Sequence, residues 1–351
     1  MKLDELPLQE ISERHKFDLG RLDKFLQPRI DDFGSDLEVL QFEGGASNPT
    51  FLLTTNSSAG TRRFVLRKKP PGKILASAHQ VEREFKAMSA LASTDIPVPV
   101  MRTLCEDPDV IGTNFYVMEF LEGRVFRDAA LPGIEPKDRA SIYDELNATL
   151  AKLHKVDVDA VGLSDFGRPS GYFERQLARW TKQYRNAQTE EIPSMERLLE
   201  ELPKRLPTDT STGIAHGDYR LGNVMFHPTE PRLIAVLDWE LSTLGHPLAD
   251  IGYNCLMWNM PSHEFGCVFG DDGIAQGIPT EAEYVAAYCA RSGRSGIEDL
   301  NFYVGFAAFR IAAISQGVYR RTLDGIASTD REAINEAGQY AKLALELLHR
   351  P

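Results

Sequence analysis

Hydrophobic positions recur with two periods along this chain, and the change of period separates its two parts. Residues 18–29 place Leu19, Leu22 and Leu26 on one stripe, which predicts a short amphipathic helix. Strand periodicity follows. Residues 37–55 predict a β-hairpin turning at Ala46–Pro49, and Arg62–Lys68 a third strand with Val65 and Arg67 on one face. A helix at His79–Leu91 would carry Val81, Phe85, Met88 and Leu91 as its apolar stripe. Ile96–Val100 is expected to open another strand, and Phe115–Gly123 the next, apolar from Tyr116 to Leu121 except at Glu119. From Lys137 the spacing becomes helical, at 137–155, 171–188, Thr280–Arg291, Ile297–Tyr319 and Thr329–His349. Residues 214–240 interrupt it: segments Val224–Phe226 and Leu233–Leu237 flank a turn marked by Pro228 and Pro231. The pattern is α+β, a small antiparallel sheet and then a larger, mainly helical part, with the boundary at about residues 121–125.

Composition narrows the class. A chain of 351 residues, 42% hydrophobic and 26% charged, can bury a sizeable core in two lobes. Its net charge of −12 argues against nucleic acid, which requires a basic footprint. Bulk charge also suits cationic or neutral substrates, though a local pocket can differ. Cys105, Cys255, Cys267 and Cys289 form no CxxC pair and read as free thiols of a reducing compartment. The N-terminal stretch lacks a signal-type apolar region and no run reaches spanning length, so the expectation is a cytoplasmic protein without a membrane partner. Monomer and homodimer both stay open.

Chemistry concentrates in residues 214–240. Asp218, Asn223 and Asp238 stand at fixed offsets, and the hairpin is expected to bring Asp238 beside Asn223. Two hard-oxygen groups suit Mg²⁺, which keeps few protein ligands and takes phosphate oxygens as well. The free carboxylate of Asp218 could accept a hydroxyl proton. That is a layout for phosphoryl transfer.

The run HGDYRLGN followed by LDWE resembles the catalytic loop and metal-binding Asp of the aminoglycoside phosphotransferase family, small-molecule kinases distantly similar to protein kinases. Gly217 in place of the kinase Arg and Trp239-Glu240 after the metal Asp sharpen the likeness. Within the family it looks most like the kinase-like proteins related to the N-terminal domain of certain acyl-CoA dehydrogenases. The resemblance implies a protein-kinase-like two-lobe fold, with residues 1–121 as nucleotide-binding lobe and 122–351 as catalytic and substrate-binding lobe. It also implies ATP and Mg²⁺, an alcohol acceptor, Asp218 as the catalytic base, and Asn223 and Asp238 as metal ligands. Arg220 would steady the transferring group and His216 the loop.

For the nucleotide, the resemblance implies Gly45, Ser47 and Asn48 over the phosphates, Val65 roofing the adenine and Arg67 in place of the usual Lys. Lys68 and Lys69 are close enough to compete for that place. Glu84, or alternatively Glu82, would pair with the strand cation. Met118, the Glu119 carbonyl and the Leu121 N–H would meet the adenine. Asp250 would brace the catalytic loop from a helix. Outside the pattern, the aromatic stripe Phe173, Leu177, Trp180 and Tyr184 reads as core, and His154 as a packed histidine. Arg310, embedded in an apolar helix, needs a partner, for which a structural carboxylate is preferred to an anionic substrate group. Residues 259–279, with Asp271 and Asp272, are expected to form a substrate-side lid. The acceptor is expected to be a hydroxyacyl compound or its CoA thioester, with an aminoglycoside, an amino alcohol such as choline, or an inactive nucleotide-binding scaffold as alternatives.

Overall fold

The computed structural model describes residues 6–43, 48–70, 80–261, 267–270, 273–325 and 334–350. Their contacts divide the chain into two compact units, the first comprising residues 1–125 and 223–242, the second 126–222 and 243–351. Residues 223–242 thus go with the first unit, whereas the sequence reading placed them in the later part.

The first unit is built on a six-stranded antiparallel sheet in the order β1-β2-β3-β4-β6-β5. In chain order its elements are β1 (Leu8–Gln9), α1 (Leu19–Leu26), β2 (Ser35–Phe42), β3 (Thr50–Ser57), β4 (Gly60–Lys68), α2 (Val81–Leu91), β5 (Met101–Cys105), α3 (Pro108–Ile111) and β6 (Phe115–Glu119). Period-two burial gives the sheet two faces. Phe64 and Leu66 of β4 join Phe51, Leu53, Phe115 and Val117 in a core closed by Leu22 and Leu26 of α1. Val65 and Arg67 point the other way, paired in register with Met118 and Tyr116 of β6. Ile96–Val100 is not a strand, and β5 begins only at Met101. Pro97 and Pro99 supply no N–H to a ladder, and the carbonyl of Pro97 instead accepts from Val236.

The chain passes into the second unit through α4 (Pro136–Leu153), α5 (Tyr172–Ala187), α6 (Pro193–Glu201) and β7 (Gly213–Ala215). It returns to the first unit as the hairpin β8 (Val224–Phe226) and β9 (Leu233–Val236). That hairpin is tied to the residues after β6, since Arg124 and Phe226 exchange backbone hydrogen bonds. Gly123 is required there, because an added Cβ would lie 2.6 Å from the Phe226 carbonyl oxygen.

The remainder is second-unit structure: β10 (Thr243–Gly245) paired with β7, α7 (Pro247–Cys255), the short pair β11 (Phe269–Gly270) and β12 (Gly273–Ile274), and helices α8 (Glu281–Ser292), α9 (Leu300–Leu323) and α10 (Ala337–Leu348). Phe173, Leu177, Trp180 and Tyr184 are all buried, and Phe173 packs edge-on against Phe302 and Phe306 of α9. The stripe is core, as its spacing suggests. All four cysteines are buried free thiols. No described helix is long and apolar enough to cross a membrane. Asp271 and Asp272 of the expected lid lie outside the described residues.

Candidate active site

In the first unit the polar face of the sheet gathers around Arg67. Its Nε lies 3.2 Å from Glu84 Oε2, and its Nη2 lies 2.7 Å from Asp238 Oδ1 and 3.8 Å from Glu240 Oε2. The choice of cation follows from strand alternation. Lys68 faces the core with Leu66, where its ammonium lies 5.6 Å from the Phe17 ring and 5.8 Å from that of Phe51. Lys69 is bound at 2.6 Å to Glu82. Of the two candidate acids, Glu84 is therefore the one beside Arg67, and Glu82 is spent on Lys69.

Glu84 is fully buried on α2 and held from three directions. Tyr116 donates to its Oε2 at 3.0 Å, Asn48 donates to its Oε1 at 2.8 Å, and Arg67 stands alongside. Burial, with Asp238 and Glu240 adding like charge, pushes its carboxyl up to about 7 against the pull of Arg67. The guanidinium itself is held firmly charged: burial works against it, but Glu84 and the other acids outweigh burial. Asn48 is buried with its amide committed to Glu84, and its Oδ1 has no hydrogen-bond partner. Gly45 and Ser47 lie outside the described residues.

A raised acid sets a direction for pH. Glu84 titrates near 7 in the folded chain against a reference of 4.5, so the folded state retains a proton that the unfolded chain has released. Its contribution is complete below the unfolded value and fades as pH rises through 7, at a slope of up to about 1.4 kcal/mol per pH unit. Glu84→Gln should flatten the decline in thermal midpoint between pH 5 and 7.5; scanning calorimetry of both proteins across that range is the check, and parallel curves would refute it.

The hairpin closes Asn223 onto the residue before Asp238: β8 and β9 pair Val224 with Val236, and the Leu237 N–H donates to the Asn223 carbonyl at 2.8 Å. Asp238 then leaves β9 in the left-handed region, at φ 63°, a conformation that costs a non-glycine residue about 1–3 kcal/mol. The next turn is fixed from α2, whose Arg83 donates to the Ser242 carbonyl at 3.2 Å. Val65 is buried opposite Met118, and Glu119 ends β6 with its N–H on the Val100 carbonyl and its Oε1 accepting from the Val100 N–H. Leu121, partly buried, follows two residues later.

The second unit holds His216, Asp218 and Arg220 on the loop after β7. Asp250 on α7 organises that loop, accepting from the backbone N–H of His216 at 2.7 Å and of Gly217 at 2.8 Å. The imidazole of His154 lies 3.2 Å from the same carboxylate and 2.8 Å from the Tyr288 hydroxyl. Burial pushes the Asp250 carboxyl up, but His154 and the loop amides together hold it below the usual range. Gly217, at φ 84°, makes the turn that lets two successive N–H groups reach one acid. The Asp218 N–H donates to the buried His216 ring at 3.2 Å, so His216 shapes the loop from inside. The Asp218 carboxylate lies 3.6 Å from Arg220 and accepts a hydrogen bond from Tyr253.

Tyr116 and Tyr253 escape the sequence reading, and Glu240 enters it only as part of the LDWE run. Tyr116 could have been found by register, since it stands opposite Arg67. Tyr253 lies one turn beyond Asp250 on the same helix, and only the loop geometry shows that it reaches Asp218.

Among the described residues no group of three or more His, Cys, Asp or Glu is placed to hold a metal ion, so a cation beside Arg67 would rest on two protein ligands. Three carboxylates face one guanidinium, and one of them, Asp238, is already displayed from a strained backbone. The oxygen donors of Asp238 and Asn223 are of the hard type that Mg²⁺ takes.

Comparison with known proteins follows the same line. A sequence profile described as phosphotransferase enzyme family matches residues 38–300. Acyl-CoA dehydrogenase family member 10 of Mus musculus is 47% identical over 330 residues, which is 93% of this chain and 30% of that protein. The chain spans less than half the length of such curated relatives. A Ralstonia eutropha crystal structure provisionally assigned as an aminoglycoside phosphotransferase superposes with a TM-score of 0.84 at 46% identity, covering 95% of this chain and 98% of that one. An aminoglycoside phosphotransferase mutant in ternary complex with AMP-PNP and hygromycin B shares the fold at TM-score 0.58 and 15% identity, over 93% of this chain and 97% of that one. The expected α+β, protein-kinase-like fold is the one observed.

Proposed function

We propose, because this chain belongs to the phosphotransferase enzyme family, that it is an ATP- and magnesium-dependent kinase acting on the hydroxyl of a small molecule, a hydroxyacyl compound or its CoA thioester. The observation that carries this reading is the Arg67 cluster, in which the strand arginine is anchored by Glu84 and tied to Asp238. AMP-PNP and hygromycin B in the related complex support a nucleotide and a small-molecule acceptor on this fold. The likeness to acyl-CoA dehydrogenase family proteins is what supports a hydroxyacyl acceptor.

Each residue then has a task. Arg67 binds the phosphates, and Glu84, steadied by Asn48 and Tyr116, aims it. Gly45 and Ser47 are assigned to the phosphates by the family resemblance alone. Val65 and Met118 enclose the adenine, and the Glu119 carbonyl and Leu121 N–H meet its edge. Asn223 and Asp238 would hold Mg²⁺. That ion, when bound, supplies neutralisation of phosphate charge. Asp218 orients the acceptor hydroxyl and takes its proton at the carboxylate. A loose transition state asks little base strength, so positioning carries most of the effect. Arg220 offsets charge on the transferring oxygens.

Titration calorimetry with ATP, in Mg²⁺ and in EDTA, tests the metal assignment. Wild type should bind ATP at least about tenfold more tightly with Mg²⁺, and Asp238→Ala should lose that difference. Equal affinities for both proteins in both buffers would remove Asp238 from the metal site. A screen of hydroxylated metabolites for ATP consumption then identifies the acceptor.

A further inference from the structure

In the second unit, Arg310 and Arg179 lie against aromatic rings rather than carboxylates. Arg310 sits in α9 among Phe302, Phe306 and Phe309. Its guanidinium lies 5.4 Å from the Trp180 ring and 5.1 Å from the Tyr253 ring, and its buried Nε makes no hydrogen bond. Arg179 lies 5.3 Å from the same Trp180 ring. Among the described residues neither arginine joins an ion pair, so the structural carboxylate expected beside Arg310 is absent. Ring faces attract a cation but leave its directional N–H donors unfilled. The two charges also act on each other: burial first, and then Arg310, makes Arg179 harder to protonate.

Tyr253 links this pair to the catalytic loop. Its ring faces Arg310 while its hydroxyl donates to Asp218. Arg310 is thus one phenol ring away from the proposed base, and Arg179 shares the Trp180 ring with it. The unfilled Nε of Arg310 and the repulsion between it and the exposed Arg179 are relieved together by one kind of group, an oxyanion.

We propose that Arg310 and Arg179 form the subsite for an anionic group of the acceptor, so that the substrate is a hydroxylated carboxylate or a phosphate-bearing thioester of one. Amino sugars and amino alcohols would meet like charge there. The inference rests on Asp218 being the base of the proposed kinase. It sets a local field against the bulk charge of −12, which by itself would favour cations.

The test uses defined probes: 3-hydroxybutanoate, its methyl ester, its pantetheine and CoA thioesters, choline and kanamycin. Phosphorylation of each is measured with wild type, Arg310→Gln, Arg179→Gln and Arg310→Lys. Anionic probes should exceed the methyl ester in kcat/KM by at least about tenfold, and each glutamine variant should reduce that ratio by a similar factor through acceptor KM. Arg310→Lys should restore part of it. If the free acid is preferred, the anion is its carboxylate; if only the CoA thioester and not the pantetheine thioester is preferred, it is the CoA phosphate. Preference for choline or kanamycin, or an unchanged ratio in the variants, would overturn the subsite. Calorimetry of the same anions reads binding without turnover. With no transfer to any probe and no ATP consumption in the metabolite screen the kinase reading fails, and the subsite falls separately if Arg310→Gln binds the anions as wild type does. Thermal midpoints, and Arg310→Lys should the glutamine variant fail to fold, separate loss of fold from loss of recognition.

Discussion

Asp218→Asn is expected to lower turnover by about a thousandfold, within the range of 10²–10⁴ that a positioned proton acceptor contributes, while leaving Mg-ATP affinity nearly unchanged. The substitution keeps size and shape, and the amide oxygen can still accept from Tyr253, so the loop keeps its contacts. What disappears is the capacity to take a proton and the charge that faces Arg220 at 3.6 Å. Steady-state kinetics paired with ATP calorimetry decides the matter. Parallel losses in binding and turnover would mean that Asp218 is structural, and turnover within a few-fold of wild type would remove it from catalysis.

Asp250→Ala is expected to be the most damaging substitution for stability. The backbone N–H groups of His216 and Gly217 and the ring of His154 would all lose their partner in a buried setting. At about 1–3 kcal/mol for each stranded group the loss is roughly 4 kcal/mol, or a fall in thermal midpoint of about 10 °C. Because the Asp250 carboxyl is depressed, its contribution is complete above its unfolded value of 3.8 and fades only as acid carries the pH below that. Melting curves at neutral pH test this directly. A variant that melts within a degree or two of wild type would show that the loop holds its shape without the brace.

The helices of the second unit were legible because their periodicity is strong, whereas the sequence names Arg67 by family resemblance and leaves Lys68 and Lys69 open beside it. Pairings between distant segments were not legible. Glu84 and Glu82 are equally acidic and two positions apart, and only the path of α2 past β4 separates the one beside Arg67 from the one beside Lys69. The helix at Pro193–Glu201 is obscured in the sequence by a stretch crowded with charge and proline. The rule that buried cations have a partner predicts a structural carboxylate for Arg310, and the structure supplies two aromatic rings instead. The strand misplaced at Ile96–Val100 shows the opposite weakness: apolar residues of the right type separated by prolines that cannot join a ladder.

The first unit is drawn from two separate stretches of the chain, 1–125 and 223–242. During synthesis it cannot be completed until its second stretch has left the ribosome, well after most of its sheet is made. A gene fragment cut after the first stretch would encode the sheet without Asn223 or Asp238. Recombination by one exchange cannot transplant this unit whole, so Asn223 and Asp238, the proposed metal ligands, and Arg67, the proposed phosphate contact, are inherited together only when the intervening stretch travels with them.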